Sequence, residues 1–257
     1  MNEHFRTQKM NGLPSDQHVY KYFPLKYLLL MLQEKKLRIN QVKTWEDPYE
    51  NFFMKEEFYA YAPHYQKNIP ISTEEISERL YGQSWTLNEE SDAMWRIYSS
   101  KEATFMDKAV KVKVKIDSLF SLVYTEDSCM ATTSIGQVNY LTAQEIEKWR
   151  NNCEEKGFAF PQASKECLFM KRDSFQHERE VRIIVSQASD QPIKEFLEFD
   201  IQDISIFEEY VLDPRLEQDD IQSSTEEIVK CGVETDRIRK SNLYEFVPIK
   251  INLGINK

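Results

Sequence analysis

The chain has 257 residues, 41% of them hydrophobic, 30% charged and 12% aromatic, a composition that supports a sizeable packed core and excludes a disordered chain. Its formal charge of −10 opposes non-specific binding to duplex DNA, which depends on neutralising phosphates with Lys and Arg. Only six glycines occur and none are grouped. This excludes the loops of P-loop and Rossmann folds, whose clustered glycines bring backbone N–H groups onto phosphate.

Met1 to Gln17 is polar and reads as a flexible leader, followed by one domain over 18–257. Val19 to Phe23 has the pattern of a short strand stopped by Pro24. Leu25, Leu28, Leu29 and Leu32 then recur at i, i+3, i+4 and i+7, the stripe of a core-facing helix. Leu37 to Asn40 reads as a strand, Trp45 to Glu50 as a turn, and the aromatic stretch from Glu50 to Tyr61 as a helix. Ser72 with Glu75 has the spacing of a capping box opening a helix that ends near Leu80. A strand over Gln83 to Leu87 and a helix over Asp92 to Ser99 come next. Val110, Val112, Val114 and Ile116 alternate with Lys111, Lys113 and Lys115, which predicts a strand with one buried face and one wet face. Ser134 to Tyr140 reads as a strand, and Thr142 with Glu145 caps a helix running to Gly157. Strands are expected over Arg179 to Ser186, Glu195 to Ile201, Ile206 to Leu212 and Tyr244 to Asn252, with a polar helix over Gln218 to Lys230. Irregular interleaving of strands and helices favours an α+β fold with a mixed, largely antiparallel and split sheet.

Cys129, Cys153, Cys167 and Cys231 are scattered, as are the four histidines. No zinc spacing appears, and neither a structural zinc nor a disulfide is expected. The longest apolar run, Tyr27 to Leu32, is far below the length of a membrane span, so a cytoplasmic protein without a membrane partner is expected.

Three groups of residues carry chemistry. In His177 to Val185, period-two alternation sends Val181, Ile183 and Val185 to one face and Glu178, Glu180 and Arg182 to the other. Such a row can bind a metal, move protons or stabilise a cation on a sugar ring; as a solvated face it would hold only surface ion pairs. In Trp45-Glu46-Asp47-Pro48-Tyr49-Glu50, the proline stiffens a loop in which Asp47 and Glu50 serve as helix caps or ligand contacts. Ser84-Trp85 with Met94, Trp95 and Tyr98 offers either core or an aromatic wall for a base or nicotinamide ring. Lys111, Lys113 and Lys115 are assigned to the wet face of their strand.

Taken in order, these pieces resemble an uncharacterised bacterial domain-of-unknown-function family. Tyr20 to Tyr22, Trp45 to Glu50, Ser84-Trp85, Met94 to Tyr98, Lys171 to Arg182 and Leu212 to Arg215 stand where that family has an aromatic strand, W-x-D-P-Y-E, S-W, M-W-x-x-Y, K-x-x-x-F-x-x-E-x-E-V-R and D-P-R. The resemblance implies an accessory role in defence or toxicity. A looser resemblance is to the ADP-ribosyltransferase fold, which also opens with a strand and a leucine-rich helix and places its catalytic Glu late, often in E-x-E. It implies that Glu180 bonds the nicotinamide-ribose hydroxyl and stabilises the oxocarbenium ion, that Glu178 orients the acceptor, and that Ser84 braces an NAD pocket. Where that fold carries Arg or His on its first strand, this chain offers Lys21 or Tyr22, and it has no S-T-S triplet.

The expectation is one cleft gathering Trp45, Asp47, Glu50, Trp95, Tyr98, Glu178, Glu180 and Arg182, acting on NAD or a related nucleotide as a transferase or glycohydrolase. One alternative is a nuclease whose Asp47, Glu50, Glu178 and Glu180 hold magnesium. The other is a sensor or protein-binding module without catalysis. Glu180→Gln, on a strand face anchored by its opposite side, is expected to be nearly neutral for folding.

Overall fold

The computed structural model describes residues 12–251 apart from 48, 51, 100–103, 125–131 and 156–159. Its chain opens with β1 (His18–Pro24) and passes without a break into α1 (Leu25–Glu34). Leu25, Leu28, Leu29 and Leu32 are all buried, as the helical period requires, each worth roughly 2 kcal/mol of apolar burial. The helix stops at Lys35, which adopts a left-handed φ of 50° and returns its N–H to the Met31 carbonyl. That reversal leads straight into β2 (Lys36–Gln41).

An exposed hairpin, β3 (Phe58–Ala62) with β4 (Lys67–Ile71), is followed by α2 (Glu74–Glu78), β5 (Leu80–Thr86), α3 (Asp92–Tyr98), β6 (Ala109–Lys115) and α4 (Ile116–Val123). Then come β7 (Thr132–Gln137), β8 (Asn139–Leu141), α5 (Ala143–Glu155), α6 (Phe160–Cys167), β9 (Met170–Arg172) and β10 (Glu180–Ser186). The described chain closes with β11 (Phe196–Asp200), β12 (Phe207–Leu212), α7 (Gln218–Lys230) and β13 (Ile238–Lys240). Among the described residues, nine strands form one mixed sheet in the order β11-β2-β5-β1-β6-β12-β13, with β10 added between β5 and β7. Within that sheet only β12 and β13 pair in parallel, so the fold is α+β and largely antiparallel, as expected.

The sheet is forked at β5. One edge of β5 is fully laddered to β10, from Leu80 to Thr86. On its other edge β1 meets it at Thr86, whereas β2 meets it at Gly82 and Tyr81. Side chains bridge the stretch between: Lys21 Nζ donates to the Ser84 carbonyl at 2.9 Å, and Gln83 Nε2 donates to the Arg38 carbonyl at 2.9 Å. One face of the sheet packs under α1, α4 and α7 through Leu28, Ile39, Val112, Phe120, Ile183 and Ile228. The opposite face, around Ile184, is covered by the segment after β2 and by α5 and α6, through Val42, Phe52, Leu80, Ile146 and Leu168.

Several expectations are corrected. Glu50 to Tyr61 is not a helix: a 3₁₀ turn at Phe52–Lys55 precedes β3, because Phe58, Tyr59 and Tyr61 pair across a hairpin rather than along a helix face. Ser72 and Glu75 make no capping box; Thr73 is the N-cap, and Glu75 reaches Arg79 at 3.4 Å instead. The capping box of Thr142 and Glu145 does form, with reciprocal bonds of 2.8 and 3.2 Å; Gly157 lies outside the described residues. Ser134 to Tyr140 is divided between β7 and β8. Lys111 is not on a wet face but fully buried, its ammonium on the Glu89 carbonyl and over the Tyr20 ring, whereas Lys113 is half-buried and Lys115 exposed. Tyr244 to Ile251 forms no strand, and Pro248 removes a ladder donor from its middle; Asn252 lies outside the described residues. Among those residues no helix is long and apolar enough to cross a membrane.

Candidate active site

β10 alternates as its sequence requires, with Val181, Ile183 and Val185 in the core under α1. Its other face is not solvated: Glu180 is 5% exposed and Arg182 0%. Arg182 is fixed at each nitrogen. Nε donates to Glu180 at 2.7 Å, one terminal nitrogen to Glu50 at 2.6 Å and the other to the Leu168 carbonyl at 2.8 Å. The Trp45 ring covers the guanidinium at 4.6 Å. Trp45 reaches this place only because Gly82 has no side chain; a Cβ there would collide with Cζ2 of the Trp45 ring.

Lys171, on the short strand β9, projects its ammonium into the centre of three carboxylates. Nζ lies 2.9 Å from Glu50, 2.7 Å from Glu178 and 2.5 Å from Glu180. Two acids at i and i+2 of a regular strand would sit ~7 Å apart and could not share one partner so closely. Here the strand begins at Glu180, Glu178 ends a 3₁₀ helix (Asp173–Glu178), and Arg179 between them takes a left-handed φ of 44°. The carboxyl groups therefore converge, at the cost of a conformation disfavoured for a residue with a Cβ. The Ser84 hydroxyl donates to Glu180 Oε2 at 2.9 Å, and the Glu180 N–H donates to the Tyr140 hydroxyl at 2.7 Å.

Burial alone would raise the Glu180 carboxyl, but the Arg182 charge, the bond from Glu178 and the Lys171 charge hold it well below the usual carboxylate range. Burial pushes Glu178 up to about 7, with its hydrogen bond to Glu180 adding to the rise and Lys171 opposing it. Burial works against the Lys171 ammonium, yet Glu180 and Glu178 hold it protonated. Lys21, half-buried on β1, is pushed down to about 8 by burial against the pull of Glu180. The site thus holds one ionised carboxylate beside a second that carries or releases a proton near neutrality, a pairing suited to stabilising positive charge while a proton moves.

These groups open onto a cavity of about 790 Å³ that fills the fork between β1 and β2, within the range of small-molecule sites. Lys21, Trp45, Glu50, Ser84, Tyr98, Glu178 and Glu180 line it together. Asp47 is not among the residues that line it: it accepts from the Tyr49 N–H at 2.9 Å and pairs with Arg172, the neighbour of Lys171 in the chain, at 3.2 Å. Arg182 lies behind Glu180 rather than on the wall. Trp95 does not line this cavity: it is fully buried in a small core with Tyr22, Met94, Ala109 and Val211, its indole N–H on Glu90. Tyr22 meets Trp95 edge-on at 4.8 Å and stacks on Tyr98 at 6.3 Å, so of the expected aromatic wall only Tyr98 faces the cavity. Lys171 and Tyr140 were not singled out by sequence; Lys171 stood there only as the first residue of the K-x-x-x-F-x-x-E-x-E-V-R segment.

The four acids of the magnesium alternative do not form one donor set. Asp47 is turned to Arg172, while Glu50, Glu178 and Glu180 converge on the Lys171 ammonium, and no metal-binding group of three or more His, Cys, Asp or Glu is found among the described residues. Cys153, Cys167 and Cys231 are free thiols; Cys129 lies outside those residues.

No family model matches this chain, and neither does any curated protein. Among solved structures it is similar to DarT of Thermus sp. 2.9 in complex with NAD+, at a TM-score of 0.40 and 10% identity, over 89% of this chain and 96% of that one.

Proposed function

We propose that the forked-sheet cavity binds a nucleotide with an N-glycosidic bond, NAD first among them, and that the chain hydrolyses or transfers at that bond. The observation that carries this reading is the buried, ionised Glu180 on the cavity wall, locked by Arg182 and Lys171 beside the proton-carrying Glu178. NAD supplies a C–N bond whose electron pair leaves with a cationic ring, which becomes neutral as the sugar carbon becomes positive. Glu180 lies in wait for that charge, already ionised and already oriented, so no reorganisation is needed as it develops. Ser84 fixes one carboxylate oxygen and Lys171 the other. In the fraction of molecules in which Glu178, titrating near neutrality, is ionised, its carboxylate takes the proton of the attacking hydroxyl or water as the new C–O bond forms. A glycosyl-transfer reading fits the site better than the nuclease, whose metal ligands are held by Lys171 and Arg172. The sensor reading is separated by turnover alone.

The test is release of nicotinamide from NAD by the purified chain, measured by chromatography. Glu180→Gln is expected to lower the rate on the order of 100-fold or more. A wild-type protein that binds NAD but never releases nicotinamide, whatever acceptor is supplied, would return the site to a sensing role.

A further inference from the structure

Away from the fork, two exposed pieces of the chain complement each other. The first is the β3–β4 hairpin, a two-stranded ribbon that stands apart from the main sheet. It is anchored where Phe58 packs on the core around Ile184 and Glu56 pairs with Arg150 at 2.6 Å. Tyr59 and Tyr61 are 56% and 63% exposed, and alternation puts both on one face. Opposite Tyr59 lies Pro70. Proline has no N–H to give a partner strand, so Tyr59 and Pro70 form the kind of pair whose backbone groups turn outward. Tyr61 and Asn68, two positions on, form another. The outer edge of β3 therefore presents the N–H and C=O groups of Tyr59 and Tyr61, while Pro70 blunts the outer edge of β4. The second piece is Phe246 to Ile251, which follows a Tyr244 held on α3 by Asp92 and, at 3.4 Å, by Arg96. Phe246 is 86% exposed and Ile249 78%. Among the described residues this segment makes no hydrogen bond, with the hairpin or with any other element. Its aromatic and β-branched residues suit a strand. As a strand it would turn the backbone groups of Val247, Ile249 and Ile251 to one edge and those of Phe246, Pro248 and Lys250 to the other. Only the first edge is complete, because Pro248 has no donor.

We infer that Phe246 to Ile251 of one copy of this chain adds as a third strand to the outer edge of β3 in a second copy, and that the exchange is reciprocal. A two-stranded ribbon alone is marginal in water and gains from a third strand, and main-chain bonds along an open edge supply the affinity of such additions. The two prolines limit the addition to one strand: Pro248 leaves the added strand a single usable edge, and Pro70 closes the far side of the hairpin. Area decides for reciprocity. One contact between the tyrosine face and the apolar segment covers roughly 750 Å² counting both sides, too little for a stable interface, whereas two related by a twofold axis reach about 1,500 Å². The occupant is thus a second copy, and the inference stands independently of any reaction at the fork.

The experiment is sedimentation velocity of the full chain across roughly 1–100 µM, the weak end of affinity for an interface of this size. It compares the wild type with Ile249→Pro, Lys250→Pro and the double variant Tyr59→Ser, Tyr61→Ser. All four positions are exposed, so the variants keep the fold, which an unchanged melting curve verifies. The wild type is expected to form a dimer. Ile249→Pro removes a donor from the pairing edge and should raise the dimer dissociation constant at least about tenfold, because a reciprocal interface loses the bond twice. Lys250→Pro removes a donor from the outer edge and should leave the constant within about threefold. The hairpin variant should weaken the dimer at least as much as Ile249→Pro. A wild type that stays monomeric overturns the inference, as do two prolines that weaken the dimer equally. A hairpin variant that dimerises like the wild type overturns it too, since the segment would then dock elsewhere. Species that grow beyond two copies with concentration would replace reciprocal exchange by an open chain and overturn the closed pairing.

Discussion

Glu178 and Glu180 differ by two positions, yet their surroundings move their acidities in opposite directions, and stability should report it. The Glu178 carboxyl titrates at about 7 when folded and near 4.5 when free. Between those values the folded protein holds a proton that the unfolded chain has lost. This contribution is complete below the unfolded value and disappears as pH rises through the folded one, by up to about 3 kcal/mol. Glu180 runs the other way: its depressed carboxyl adds stability above the ordinary carboxylate range and loses it as pH falls. Glu178→Gln cannot titrate, so urea denaturation should find the wild type losing ground to this variant between pH 5 and pH 8; a difference that stays flat with pH would show the raised carboxyl to be wrong. Glu180→Gln is no longer expected to be neutral for folding. It removes the charge facing Arg182 and Lys171 while keeping one acceptor, which should cost about 1–3 kcal/mol, so its lost activity must be read in a sample shown to be folded at the assay temperature. Glu178 reaches the site from a 3₁₀ helix through the left-handed Arg179, which alternation did not show, but the shared face of Glu180 and Arg182 was legible from it. Their burial was not, because the segments that cover them, around Trp45 and Leu168, are distant in sequence and carry no periodic mark of where they dock.

Among the elements, those with an unambiguous period were legible. The leucine stripe of α1 and the polar helix α7 stand where the pattern puts them, and β10, β11 and β12 agree within a residue or so. The aromatic stretch after Glu50 fits either period, and only its partner β4 decides for a strand. The left-handed residues leave no signature at all: Lys35 and Arg179 are ordinary choices for a helix end and a strand start, yet each turns the chain where simple continuation would have misplaced the next strand. Lys35→Gly should relieve a Cβ penalty with no loss of packing, raising stability by about 0.5–1 kcal/mol in the same denaturation assay. Loss of stability would mean that the lysine side chain, not the backbone, sets the end of α1. Gly82→Ala pushes in the opposite direction. The new methyl meets the Trp45 ring and Ile184, at a cost of about 1–3 kcal/mol, and lifts the indole from Arg182; unchanged stability together with unchanged tryptophan emission would contradict that close approach.

At the scale of the whole molecule, the proposed function depends on the fork: two strands share one edge of β5 at different points, and the space between them becomes the cavity. Sequence could not supply this, since the pairings that open it join segments far apart and the strands concerned look alike in pattern. The fork exists only in the folded chain, so a ligand that fills it should stabilise the fold by mass action. At a free concentration about 100 times its Kd, NAD should add about 2.7 kcal/mol, which for a chain of this size corresponds to a rise in Tm of roughly 5–10 °C. Magnesium at a comparable excess should leave Tm unchanged, because the acids it would need are bound to Lys171 and Arg172 and displacing a buried ammonium from three carboxylates gains nothing. Differential scanning fluorimetry over a series of NAD and magnesium concentrations separates these cases: a magnesium shift with no response to NAD would reinstate the nuclease, and silence toward both would leave the cavity without the nucleotide its chemistry points to.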